Sequence, residues 1–212
     1  MSFLFDCFAV LQPAECPWGE NWGNLVLLRE KPQSAEVVQL PGATGKRFFF
    51  GSAANENRCM VHVVLADGTV FACTHLEDRD ANLRQTQAEQ ITARLQEDRE
   101  KSEQRTVFVG DLNEIHKPAY SEHELRVLRT FNYSGFPLPT GSLSYLAEQG
   151  TGTLLTGDVK HASAFNKNLC HWLVSEPAGA AEGEGEVHPF YSPIGDHTLT
   201  FFVAQSATAE AK

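Results

Sequence analysis

The chain has 212 residues, a hydrophobic content of 42% and a formal net charge of -10. That length suits one domain with a sizeable core, and no apolar run is long enough to cross a membrane. The acidic balance argues against a broad, sequence-independent nucleic-acid surface, though a bound divalent cation could still supply local positive charge for phosphoester chemistry.

The apolar start, Met1 to Leu11, has no basic segment and carries Asp6, so it is a poor secretory signal. The five cysteines, Cys7, Cys16, Cys59, Cys73 and Cys170, are odd in number and form no CxxC. Reduced thiols in a cytoplasmic protein are the expectation.

Asn24–Arg29 reads as a buried strand, followed by strands at Ala35–Leu40 and Lys46–Gly51. The segment Gly42-Ala43-Thr44-Gly45-Lys46 reads as a turn, because its glycine spacing is too short for a phosphate loop and Arg47 stands where Ser or Thr would be needed. Asp67-Gly68 predicts a two-residue hairpin turn between Arg58–Ala66 and Thr69–Leu76. In that register Cys73 faces His62, and Cys59 points to the other side of the sheet, so the two thiols do not bridge. The same register makes Arg58 and His75 diagonal neighbours on one face.

Asp80 to about Glu97 reads as a helix with an apolar stripe at Leu83, Ala88, Ile91 and Leu95, and Asp80 sits at its start. The charged run Glu97–Arg105 reads as its solvated end and a loop. Thr106–Gly110 is a short buried strand. Glu122–Phe131 reads as a short helix, and Phe136–Lys160 as a long surface excursion. Leu169–Ser175 and Thr198–Val203 are strands, Pro177–Glu186 is an acidic loop, and Ala204–Lys212 is a tail. Mixed hairpins and crossovers, with strands outnumbering helices, favour a layered α/β sandwich over a doubly wound parallel sheet.

Three places carry chemistry. In Thr106–Glu114 a hydrophobic strand runs into Gly110, and Asp111 and Asn113 follow at i and i+2. In extended backbone that spacing sends both side chains one way, and a carboxylate beside a carboxamide suits a hard cation or a phosphate-bound water. His75, in Cys73-Thr74-His75-Leu76, stands at a strand end, where Arg58 and His75 together would cradle phosphate oxygens. Asp196-His197 precedes the last strand, offering a metal ligand beside a proton carrier.

These pieces occur in a telling order. A strand led by Gly23-Asn24 comes first, then the strand from Arg58, then Thr74-His75-Leu76, a helix with Arg84 and Gln87, Gly110-Asp111-Leu112-Asn113, the strand Trp172–Ser175, and Gly195-Asp196-His197. From about Trp18 to Val203 the series resembles the endonuclease/exonuclease/phosphatase (deoxyribonuclease-I-like) superfamily.

The resemblance implies an α/β fold: a four-layer sandwich of two packed, mostly antiparallel sheets with outer helices, in one domain over residues 1–203. It implies a phosphoester hydrolase in which Asp111 and Asn113 position or activate the attacking water. His75 would stabilise the transition state, and His197 would act as general acid and base. Arg58 and Asn24 would bind substrate phosphate. Asp196 and Asp111 would hold magnesium, or manganese in its place.

Two departures accompany it. Members carry an N-terminal Asn strand and, further on, a strand ending in Gln-Glu whose Glu is the principal metal ligand. Here Leu11-Gln12-Pro13 places Pro at that Glu, and residues 8–24 read instead as the later lead into the Gly-Asn strand, so the fold is expected to be N-terminally incomplete. Members also carry an Asp before the strand matching His171–Ser175, and here that position is Cys170. A missing strand would leave a backbone edge for another segment, such as the apolar start Phe3-Leu4-Phe5 with Phe8, or for a partner chain. The two functions that follow are a metal-dependent phosphoesterase and a non-catalytic relative that binds a phosphorylated ligand or a protein. The substrate class, whether nucleic acid, phospholipid or inositol phosphate, is not written in the motifs; the acidic charge favours smaller or neutral-headgroup phosphoesters over duplex DNA.

Overall fold

The computed structural model describes residues 8–13, 23–42, 47–49, 52–54, 58–77, 80–101, 104–114, 122, 146, 153–155, 170–176, 185–190 and 199–204. The predicted helix Glu122–Phe131, Asp196, His197 and the tail beyond Ala204 therefore lie, wholly or nearly so, outside the described residues.

In chain order the strands are β1 Phe8–Pro13, β2 Gly23–Leu28, β3 Ser34–Gln39, β4 Arg47–Phe49, β5 Ser52–Ala54, β6 Cys59–Val64 and β7 Val70–His75. After helix α1, Ala81–Lys101, come β8 Thr106–Asp111, β9 Thr153–Leu155, β10 Cys170–Ser175, β11 Gly185–Phe190 and β12 Leu199–Ala204. Six of them form a sheet in the order β3-β6-β7-β8-β10-β9. The pair β7–β8, joined through α1, is parallel, and the other pairs in that sheet are antiparallel. The expected mixture of hairpins and crossovers is thus present.

The pleat divides this sheet into two faces. On one, Met60, Val70, Ala72, Phe108 and Leu173 pack against Ala88, Ile91 and Leu95 of α1, with Leu40, Leu76, Leu112 and Leu146 completing the cluster. On the other, Val61 and Val63 meet Val26 of β2, with Leu28, Phe71 and Cys73 around them. Each fully buried Leu or Ile here stabilises the fold by about 1.5–3 kcal/mol.

The N-terminal segment differs from expectation. Residues 8–13 form a strand of their own and pair with the whole of β2, from Phe8↔Leu28 to Pro13↔Gly23. Phe-Ala-Val-Leu is an apolar, partly β-branched run, and it supplies the backbone partners that β2 needs. Of the segment expected to cover an open edge, Phe3-Leu4-Phe5 with Phe8, only Phe8 lies within the described residues.

Other differences are local. Of the expected strand Lys46–Gly51 the structure describes Arg47–Phe49, which pairs antiparallel with Ser52–Ala54. The expected surface excursion contributes β9, and the acidic loop ends at Gly185, where β11 begins. Helix α1 extends to Lys101, beyond the expected end near Glu97. Asp80 caps it: its Oδ1 accepts from Asn82 N and Leu83 N, both at 3.0 Å.

The β6–β7 hairpin closes one residue away from the expected register. Leu65 N donates to Thr69 O at 2.9 Å, and Gly68, at φ 86°, occupies the left-handed position of a three-residue turn. Val61, not His62, therefore faces Cys73. A one-residue slip exchanges faces. Cys59 and Cys73 thus share a face, and they stay unbridged because Cys73 pairs with Val61, two residues from Cys59. Met60 faces Thr74, so Arg58 follows the alternation of Met60 and Thr74 while His75 follows that of Cys59. The expected same-face pairing of Arg58 with His75 does not occur.

Candidate active site

Parallel strands joined by one helix end at the same edge of a sheet, and β7 and β8 do so at His75 and Asp111. These two are register partners, and on the far side of β8 Asp111 pairs with Cys170. The close spacing one step earlier depends on Gly110. A Cβ there would lie 2.2 Å from Thr74 O, so only glycine admits the backbone of β7.

The side chains converge. His75 Nε2 is 3.7 Å from Asp111 Oδ2, with His75 about one-third exposed and Asp111 12% exposed. Asp111 Oδ1 accepts from Asn113 N at 2.9 Å, and Leu76 N donates to Asp111 O at 2.9 Å. Asn113 itself has φ 50°, a left-handed conformation that Asn tolerates better than other side-chain-bearing residues. Its Nδ2 donates to Leu76 O at 2.8 Å, and the residue is 4% exposed. Asn113 therefore closes the turn after β8 onto the turn after β7. The i, i+2 geometry expected from extended backbone is replaced by a tight turn in which Asn113 holds Asp111 from behind.

Asn24 and Arg58 lie at the same end. Asn24 Nδ2 donates to Cys59 O and approaches Cys59 Sγ, both at 3.2 Å, and Thr74 Oγ1 donates to the same carbonyl at 2.6 Å. Asn24 thus ties β2 to the main sheet one residue from His75. Arg58 is buried, and its carbonyl accepts from Leu40 N at 3.0 Å. Burial raises the Cys59 thiol pKa, and the Asn24 hydrogen bond and the Arg58 charge oppose that rise.

Sequence reasoning passed over a layer of buried polar residues behind this edge: Glu77, Glu114 and His171. His171 Nε2 lies 2.6 Å from Glu114 O. The signal was present, since an acid follows each motif: Glu77 two residues after His75 and Glu114 directly after Asn113.

A magnesium ion wants several hard oxygen donors. At this edge the described residues offer one carboxylate, Asp111, with Cys170 beside it in register and Pro13 at the end of β1. Among the described residues no group of three or more His, Cys, Asp or Glu is placed to hold a metal. The described part of the site does not fit the ion by itself, and Asp196, the other expected ligand, lies outside it.

The architecture has clear counterparts among solved structures. The cytolethal distending toxin of Haemophilus ducreyi superposes with a TM-score of 0.59 at 13% identity, over 94% of this chain and 69% of that one. The endonuclease/exonuclease/phosphatase from Bacteroides vulgatus gives 0.53 at 12% identity, over 94% and 77%. The fold is shared with that endonuclease/exonuclease/phosphatase. The Bacteroides thetaiotaomicron mannosyl-6-phosphatase Bt3783 gives 0.51 at 11% identity, over 95% and 77%. No protein-family model and no curated protein matches the sequence. No helix among the described residues is long and apolar enough to cross a membrane.

Proposed function

We propose that the protein is a metal-dependent phosphoesterase that hydrolyses a phosphodiester or phosphomonoester by direct attack of water. The observation that carries this is the His75–Asp111 pair, locked at one sheet edge by Asn113. The superfamily fold supports it, and we read the architecture as the four-layer sandwich of that superfamily. Asp111 orients the water and His75 meets the charge that develops on the phosphoryl oxygens. Asn24 orients the phosphate from the neighbouring strand, Arg58 acts only through its charge from the other face of the sheet, and His197 exchanges a proton with the leaving group. Asp196 with Asp111 would hold magnesium or manganese, whose contribution is to polarise the phosphoryl group.

The test is turnover of bis(p-nitrophenyl) phosphate and p-nitrophenyl phosphate with magnesium or manganese. Hydrolysis that disappears in Asp111→Asn and His197→Ala supports the proposal. Absence of metal-stimulated turnover of either probe in the folded wild type sinks it.

A second reading has its own observations. Leu11-Gln12-Pro13, at the end of β1, mimics the superfamily's Leu-Gln-Glu but carries no Glu, and Cys170 is the register partner of Asp111, where the resemblance places a carboxylate. Two such losses would reduce turnover by several orders of magnitude. On this reading the edge binds a phosphorylated ligand without cleaving it. Phosphate binding by calorimetry, with no turnover, distinguishes it.

A further inference from the structure

Two side chains of α1 reach the turn that follows His75. Arg84 and Gln87 are three residues apart and share one helix face. Both are fully buried. Gln87 Oε1 accepts from Glu77 N at 2.9 Å, and Arg84 Nη1 donates to Glu77 O at 2.8 Å. One helix thus holds both main-chain groups of one residue. Gln87 Nε2 donates to Pro41 O at 2.7 Å, which fixes the orientation of its amide. Arg84 also faces the second strand end, with Nε 3.8 Å from Glu114 Oε2. Glu77 and Glu114 immediately follow Leu76 and Asn113, the two residues joined by the Asn113 side chain.

From this geometry we infer that Arg84 and Gln87 are positioning residues, which set the ends of β7 and β8 and hence the placement of His75 against Asp111. Its functional meaning rests on the phosphoesterase proposal; its geometry does not. An apolar residue of similar volume would pack α1 on the sheet without burying a guanidinium, and burying such a charge is unfavourable unless it is well paired. What the polar pair adds is direction. The planar fork of Arg84 and the oriented amide of Gln87 fix the angle of the Glu77 peptide, which a hydrophobic contact would leave free to slide.

Two variants test this. Arg84→Lys keeps the charge and loses the fork, and Gln87→Met keeps the length and loses both hydrogen bonds. The reporters are the Asn113 side-chain amide and the Leu76 backbone amide, followed by proton–nitrogen NMR; each is hydrogen-bonded across the two strand ends. The amides of Ala88 and Ile91, in the same helix, are the controls.

In a folded variant the reporters are expected to shift and to lose about tenfold or more of their exchange protection while the controls hold theirs. With bis(p-nitrophenyl) phosphate, kcat is expected to fall about tenfold or more with KM within about twofold. Unmoved reporters, or reporters and controls that change together, overturn the inference by reducing the pair to ordinary core. If Arg84→Lys does not fold, Gln87→Met decides. A wild type without turnover sinks the phosphoesterase proposal yet leaves the NMR comparison to decide the positioning role.

Discussion

His75 and Asp111 sit side by side at the ends of parallel strands, and the Asp111 carboxylate lies between the His75 ring and the backbone N–H of Asn113. His75 Nε2 approaches one oxygen at 3.7 Å, and Asn113 N donates to the other at 2.9 Å. A carboxylate so fixed requires little reorganisation when charge develops near it.

Asp111→Asn tests what that fixed charge contributes. The carboxamide oxygen can still accept from Asn113 N, so the turn should survive. Turnover of a phosphodiester probe is expected to fall about 10²–10³-fold, the loss typical for a group that stabilises charge in the transition state. Steady-state kinetics beside a thermal melt would check this. A melt lowered as far as the rate would show that Asp111 holds structure rather than serving the reaction.

Gly110→Ala should be far more damaging than Gly68→Ala. At Gly110 the added Cβ would meet Thr74 O at 2.2 Å, a backbone atom that can move only if β7 and β8 separate. A cost of at least about 2–3 kcal/mol is expected, since both strands are central in the sheet. At Gly68 the nearest atom is the flexible Gln104 side chain at 3.1 Å, and the cost is mainly the positive φ, about 1 kcal/mol. Urea unfolding midpoints of the two variants give the comparison directly.

Much of this was legible in the chain, for physical reasons. The strand ending at Gly110-Asp111 and the helix after Asp80 announce themselves through periodicity, a glycine and a cap. Of the expected stripe Leu83, Ala88, Ile91 and Leu95, the last three located the packing face of α1 and Leu83 stays outside the core cluster, while Arg84, Gln87, Thr92 and Asp98 share the buried face. An apolar pattern is blind to polar residues that are buried because they are paired. The hairpin register failed at one residue because Asp67-Gly68 fits a two-residue or a three-residue turn equally well, and that residue moved Arg58 off the face of His75. β1 was missed because the proline in Leu-Gln-Pro drew attention from the apolar run before it.

Acid should loosen α1 from the sheet edge at β3. Hydrogen bonding and charge from Arg94 hold the Glu36 carboxyl below its usual 4.5, against a smaller opposing effect of burial. A depressed carboxyl stabilises the fold above its unfolded pKa, and that contribution is lost as pH falls through the folded value. The window therefore opens at about pH 4.5 and lies below it. Arg94 also bonds Asp98 Oδ1 at 2.6 Å, and Asp98 Oδ2 lies 2.8 Å from His62 Nε2, so the same network reaches β6 of the sheet. Because the Glu36 side chain is half exposed, solvent screening limits its share to a few tenths of a kcal/mol. Glu36→Gln should lose those few tenths of a kcal/mol at pH 7 and converge on the wild type below about pH 4.5, so that its acid limb is shallower by the same amount. A full acid limb in that variant would assign the acid sensitivity to other groups.

The thiols on the inner face should resist modification. Burial, reinforced by the neighbouring Cys59, pushes the Cys73 thiol from its ordinary 9.0 up to about 12, and a backbone hydrogen bond from Val61 offsets only part of that. Burial likewise raises Cys59. The thiolate is the nucleophile, so at pH 8 iodoacetamide should leave both unmodified in the native protein and alkylate both after unfolding in urea. The linkage sign is opposite to that of Glu36. The neutral Cys73 thiol favours the folded state fully below pH 9, and the advantage disappears as pH rises through about 12. Mass spectrometry after a timed alkylation at pH 8 reads the outcome. Rapid labelling of Cys73 in folded protein would mean that β2 lifts from the sheet readily, and the packing of Val26 and Leu28 over Val61 and Phe71 would then have to be weaker than the structure implies.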